Sequence, residues 1–215
     1  MKVESLLALL HVTSPALPIG AYAYSSGLES LVSLNFVKNG VDLKKWLNAQ
    51  LETSFSYLDL PLLIRLYQSA NKPNEFIKWE QFLLASRETK ELKTQEAQLA
   101  QSFANIFKQL TNDPPYFSTY LGGLAHWYKY HCIPESALLI AYCWSFVESQ
   151  TAAASKLLSI GQSELQRILF DLYSPIINAC ELARIVEETE LGASMPSLSV
   201  ASSLHETQFA RMFRS

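Results

Sequence analysis

The stretch ESALLIAYCWSFVESQTAAASKLLS, from Glu135 to Ser159, restricts the fold more than any other part of the chain. An ordinary surface helix carries its apolar residues on one stripe, whereas this segment is apolar on nearly every side as far as Glu148. No apolar run reaches the roughly 18 residues that a membrane span requires. A helix of this kind therefore belongs at the centre of a bundle, with Pro134 at its start. Ala152, Ala153, Ala154 and Ser155 let neighbouring helices approach closely. Lys156 then places a cation near the C-terminal end, where the helix dipole favours it.

Helical spacing dominates the rest. Asp42 is read as the cap of a helix with Leu43, Trp46, Leu47 and Leu51 on its apolar side. Asp59 and Pro61 are read as opening the next helix, DLPLLIRLYQSA, because a first turn tolerates the missing N–H of proline. From Asn74 to Leu110 the pattern runs long. Its later half sets Leu92, Leu99, Phe103, Phe107 and Leu110 on one stripe, with Lys90, Lys93 and Glu96 outside it. Arg87 to Glu91, RETKE, reads as a solvated helix face whose ion pairs contribute about 0.2–0.5 kcal/mol each. Residues 116–131 form an aromatic-rich helix, and residues 163–190 another, kinked or divided at Pro175. Neither an alternating strand pattern nor an internal repeat occurs. The expected fold class is all-α, a single-domain helical bundle with a C-terminal docking tail.

The expected organisation is a helical body over residues 1–191, a serine-rich linker over 192–203 and a docking segment over 204–215. The linker, GASMPSLSVASS, is small and uncharged. Ser203 to Glu206 then fits a capping box, opening a short helix in which Phe209, Met212 and Phe213 form one apolar ridge beside Arg211 and Arg214. A helix of about 12 residues is marginal alone in water, so this segment must dock on its own body or on another protein. Composition points the same way. Charged residues are 17% of the 215, and hydrophobic residues 49%, against a usual charged share of about 25%. Such a chain leaves apolar surface for stable partners.

The N-terminal stretch SPALPIGAYAYSSGLE imitates the end of a secretory signal. The apolar run before it, however, stops at His11 short of the roughly 7–15 residues a signal needs, and Glu4 sits where positive charge belongs. Residues 14–25 read instead as a fixed loop between two helices, retained in the mature protein. Its structural residues are Pro15, Pro18, Gly20, Tyr22 and Tyr24, the tyrosines being core anchors with hydroxyls at the surface. Ser26 and Glu29 fit a capping box for the helix that follows.

Catalytic motifs are missing: no phosphate loop, no GxGxxG, no HExxH and no GxSxG. With seven glycines and a net charge of −3, neither a glycine-rich phosphate cradle nor a nucleic-acid footprint is indicated. No cofactor is called for. Cys132, Cys143 and Cys180 lack CxxC spacing and read as buried free thiols of a cytoplasmic protein. His126 and His131 are five apart, off the spacing of a helical ligand pair. His205 beside Glu206 is the one weak metal candidate, and a structural role outweighs it.

Four separated motifs, SPALPIGAYAYSSGLE, ASRETKEL, YCWSFVESQTAAASKLLSIGQSELQRIL and SSLHETQFARMFRS, together resemble the UreF family of urease accessory proteins. The likeness runs from about Leu6 to Ser215. Two departures stand out. Ala21-Tyr22-Ala23-Tyr24 replaces the family's frequent Gly-Phe-Ser-Tyr, and Ser159-Ile160 replaces a proline-leucine pair before Gly161. The resemblance implies an all-helical, non-catalytic and cytoplasmic protein that dimerises. It also implies a complex with UreD (also called UreH) and the GTPase UreG, which inserts nickel into the urease apoprotein. On that basis His205, Glu206, Phe209, Arg211, Met212, Phe213 and Arg214 are expected to meet UreD. Lys156, Gly161, Gln162 and Gln166 are expected to border UreG, with Gly161 permitting a sharp turn. An alternative is that the chain activates the GTPase, with Arg167 or Arg87 as an arginine finger.

Overall fold

The apolar segment after Pro134 forms one unbroken helix, and most of the other helices of the chain pack against it. The computed structural model describes residues 1–192 and 195–214, and among them no strand occurs. The helices are α1 (Val3–Thr13), α2 (Leu28–Ser33), α3 (Gly40–Gln50), α4 (Leu60–Ser69), α5 (Pro73–Ser86) and α6 (Lys90–Thr111). They continue with α7 (Tyr120–Tyr130), α8 (Glu135–Leu157), α9 (Gln162–Asp171), α10 (Tyr173–Ala183) and α11 (Pro196–His205). Helix α8 touches α1, α2, α3, α4, α7, α9 and α10. It buries Leu138, Leu139, Cys143 and Val147 among them, while Ile140 on the same helix stays exposed. One hydrophobic core runs through this single helical domain.

Where the expected elements fail, the backbone chemistry shows why. Asn39, not Asp42, caps α3: its side chain accepts from the Asp42 N–H at 3.0 Å, and Asp42 in turn accepts from the Lys38 N–H at 3.2 Å. Asp59 and Pro61 open no new helix. The chain passes from α3 through a π-helical stretch, Leu51–Asp59, directly into α4. The Leu60 N–H reaches five residues back to Phe55, the i→i+5 pattern of that form. Pro61 has no N–H for the Tyr57 carbonyl, which takes the Gly192 N–H at 3.1 Å instead.

The long run from Asn74 is broken at Arg87 to Thr89. Thr89 caps α6 by accepting from the Leu92 N–H. Leu99, Phe103 and Phe107 line the buried stripe of α6 as expected, but Leu110 is exposed and Glu96 is buried. The helix expected from residue 163 to 190 divides at Leu172, and Pro175 lies in the first turn of α10, where proline costs least. The expected linker is largely helix α11, with Ala193 and Ser194 outside the described residues. Residues 206–214 form no helix, so the Ser203–Glu206 box opens nothing. Among the cysteines, Cys143 and Cys180 are buried, while Cys132 is exposed with φ 51°.

No helix among the described residues is long and apolar enough to cross a membrane.

Candidate partner-docking site

Helix α11 brings the C-terminal segment onto α2 and α6. Small residues make the approach possible. Gly27 adopts φ +82°, and a Cβ placed there would stand 3.1 Å from Cβ of Ala201. Beside it the hydroxyls of Thr89 and Ser202 lie 2.7 Å apart and buried. The helix thus closes against the body along its serine and alanine face, which is why an uncharged stretch read as linker is helical.

At the end of α11 stands His205, with no exposed surface. Its Nδ1 is 3.0 Å from both carboxylate oxygens of Glu91, and its Nε2 is 3.2 Å from Oε2 of Glu29. A neutral imidazole donates from one nitrogen, so both contacts are donated together only by the imidazolium. With both nitrogens facing carboxylates of its own chain, His205 serves the packing of the segment. Glu29 also accepts from the backbone N–H groups of Met212, at 2.7 Å, and Phe213, at 2.9 Å. Arg211 donates to Glu91 at 3.0 Å and to the Glu206 carbonyl at 2.8 Å. Glu206 reaches the N–H of Glu91 at 3.4 Å, next to the start of α6. The Arg214 N–H bonds the Ala23 carbonyl at 2.8 Å.

The expected ridge is therefore divided. Phe213 is buried in the core, with the Lys156 ammonium 5.7 Å from its ring centre. Phe209 is fully exposed and Met212 is 61% exposed. A helix would have kept all three on one face; the irregular backbone turns one inward and two outward. Arg211, expected to pair with a partner's acid, pairs with Glu91.

The N-terminal loop supports this arrangement. Gly20 takes φ +80° to enter a 3₁₀ turn, Ala21–Ala23. Pro15 and Pro18 are exposed while Leu17 and Ile19 are buried. The tyrosine hydroxyls are committed to the body rather than to the surface. Tyr22 donates to Glu148 at 2.9 Å, and burial followed by that carboxylate pushes its ionisation well up. Tyr24 donates to Gln98 at 2.6 Å. No capping box joins Ser26 to Glu29. Ser26 is left-handed, Ser25 accepts from the Glu29 N–H, and the Glu29 carboxylate goes to the C-terminal segment.

The second expected surface lies at the α8–α9 turn. Lys156 is exposed apart from its contact with Phe213, and Gln162 and Gln166 are exposed one turn apart. Gly161 caps α9 at φ −68°, ordinary extended backbone, and a Cβ there would meet nothing within 4 Å. The chain's own turn does not need this glycine. Arg167, with 75% of its side chain exposed, pairs with Asp171 at 3.1 Å. Asp171 also accepts from Lys44, whose hydrogen bond is the leading cause holding that carboxyl below its usual range.

Arg87 is not on a solvated face. It turns inward to Asp59 at 2.7 Å and Glu96 at 3.0 Å, with 14% of its side chain exposed. Burial works against its charge, and Asp59 and then Glu96 outweigh it. Both guanidinium contacts being internal, Arg87 cannot serve as a finger. Glu96 meanwhile accepts from the Tyr120 and Leu121 N–H groups at the start of α7. This node borders a partly open pocket of about 130 Å³ that is also lined by Gln50 and Tyr142. Among the described residues no cluster of three or more His, Cys, Asp or Glu is arranged to hold a metal. The inward turn of Glu29, Glu91 and Arg87 escaped the sequence reading, because each lies in a short polar stretch that a single helix would have exposed.

Comparison with known proteins matches residues 37–173 to the model of the UreF family. The chain is similar to the urease accessory protein UreF of Teredinibacter turnerae, 39% identical with 99% of each chain covered. It is similar to that of Pseudomonas entomophila at 36%, with 98% of each covered, and of Alcanivorax borkumensis at 34%, with 100% of each covered. The C-terminal segment lies beyond the family-model match but within these near full-length likenesses.

Proposed function

The chain belongs to the UreF family of urease accessory proteins, and on that premise we propose that it is a non-catalytic scaffold for nickel insertion into urease. It acts in the cytoplasm with UreD and the GTPase UreG, and the nickel is cargo destined for the urease apoprotein. The observation that carries this reading is the C-terminal segment. A buried charge cluster holds it on the body while Phe209 and Met212 stand exposed on it. Aromatic residues and Met are enriched in protein–protein interfaces, and one of each stands exposed here on a firmly held segment. UreD is the occupant assigned to it.

The α8–α9 turn is assigned to UreG. Its glycine is unused by the chain's own backbone, and its two glutamines are free to meet a partner's surface. A second copy is assigned to an aromatic face on the other helices. There the Tyr173 ring meets Trp144 edge-on at 5.9 Å and Phe170 at a tilt at 5.2 Å, and Ile140 and Ile177, four residues from Trp144 and Tyr173 on their helices, are exposed. An isologous dimer buries such a face on both copies.

The test is reconstitution of the complex from purified UreD, UreG and this chain by size-exclusion chromatography, with urease activation as the readout. The chain alone is expected to hydrolyse neither GTP nor urea. GTP turnover that follows this chain through purification would overturn the non-catalytic reading. A second reading, activation of the GTPase, is favoured by the exposed Arg167 on the helix that carries Gln162 and Gln166. If Arg167 were a finger, this chain would raise UreG turnover by about 10³–10⁵ and Arg167→Ala would abolish the rise.

A further inference from the structure

Glu29 stands near the start of the chain, yet its carboxylate meets donors from the other end, among residues 205 to 213. Oε1 accepts from the Met212 N–H at 2.7 Å; Oε2 accepts from the Phe213 N–H at 2.9 Å and faces Nε2 of His205 at 3.2 Å. The residue is 6% exposed. A carboxylate so buried is costly unless donors surround it, and here the C-terminal segment supplies them. Two consecutive backbone N–H groups each donate to one oxygen of the same carboxylate. Hydrogen bonds of this charged kind are about twice as strong as neutral ones. They also fix direction. With the N–H groups of Met212 and Phe213 drawn to the two oxygens of one carboxylate, Phe213 enters the core while the Met212 side chain stays outside with Phe209.

We infer that Glu29 is the positioning residue of the C-terminal segment, its carboxylate holding the backbone at Met212 and Phe213 so that Phe209 and Met212 are presented to a partner protein. This rests on the reading of that segment as the UreD dock. Glu29 touches no partner itself; it acts through the segment it holds. Burial of Phe213 alone would anchor the chain end without setting which side chains face outward.

The experiment is limited trypsin digestion of the full chain, following cleavage after Arg211 by mass spectrometry, beside capture of purified UreD. In Glu29→Gln the shape is kept and the anion is lost. Helix content by circular dichroism should match the parent, cleavage after Arg211 should rise at least about tenfold, and capture should fall by a similar factor. Glu29→Asp, which keeps the charge on a shorter arm, should restore part of both. Should Glu29→Gln lose its helix content, Glu29→Asp decides, because it keeps the anion while its shorter arm stretches the bonds to Met212 and Phe213. Its cleavage after Arg211 should still exceed that of the parent. Parent-like cleavage in the folded variant overturns the inference. Freed cleavage with undiminished capture keeps Glu29 as the anchor and overturns the docking role of the segment.

Discussion

The Arg87 cluster and the Glu29 cluster are built from related parts, carboxylates withdrawn from solvent and met by donors from elements far apart in sequence. In the first, Arg87 lies between Asp59 of the π-helical stretch and Glu96 of α6, and Glu96 also caps α7. Every member belongs to the cooperative helical body. In the second, Glu29 and Glu91 belong to the body, while His205, Arg211 and two backbone N–H groups belong to the last dozen residues. The same chemistry therefore acts as a brace in one place and as a clasp in the other. What differs is how much of the fold depends on each side of the contact.

The brace can be broken most severely. Arg87→Leu leaves Asp59 and Glu96 buried without their cation, and removal of one partner from a buried pair costs about 3–5 kcal/mol. Chemical denaturation should show a lowered midpoint for the whole transition; a loss below about 1 kcal/mol would mean the cluster is no brace. The clasp predicts a separation of effects. Phe209→Ala should leave thermal unfolding unchanged, since the ring touches solvent, while UreD capture weakens by about 2 kcal/mol, the level of an interface hot spot. Equal losses in both measurements would erase the distinction between the two clusters.

Smaller effects belong to the α8–α9 turn. Gln162→Ala should weaken UreG recruitment by about 1 kcal/mol, the loss of one amide contact, with UreD capture intact. Lys156→Ala should mainly change how UreG recruitment depends on salt, because a rim charge steers encounter more than it holds a complex. Its contact with the Phe213 ring adds at most about 0.5–1 kcal/mol to the seating of the segment, read as a slight rise in trypsin cleavage after Arg211. Unaltered salt dependence in Lys156→Ala would remove that residue from the UreG surface.

The body was more legible in the sequence than either cluster. The all-round apolar pattern of α8 placed that helix at the centre, and the spacing by four of Leu99, Phe103 and Phe107 marked the buried side of α6. Local polarity misled elsewhere. RETKE has the look of a solvated helix, but the chain breaks at Arg87 and turns the guanidinium to Asp59, a residue 28 positions earlier. Window reading sees only near neighbours, so it cannot register such a partner. PSLSVASS lacks the charges of a surface helix and the bulk of a core helix, and small residues read as linker. Their smallness is what lets Ala201 pack on Gly27. The sequence reads the C-terminal segment as a docking element because a helix of about 12 residues is marginal alone in water. The division of its side chains, Phe213 inward and Phe209 outward, depends on N–H bonds to Glu29 that side-chain spacing does not encode.

The central claim is that a folded body presents the C-terminal segment to UreD through a clasp at its base. Its most direct measurement is UreD capture by a chain ending at His205, which retains α11 and the Glu91 contact but lacks Phe209, Met212 and Phe213. The account predicts helix content equal to the parent and no detectable capture. A chain ending at His205 that stays folded and captures UreD at full strength would contradict it.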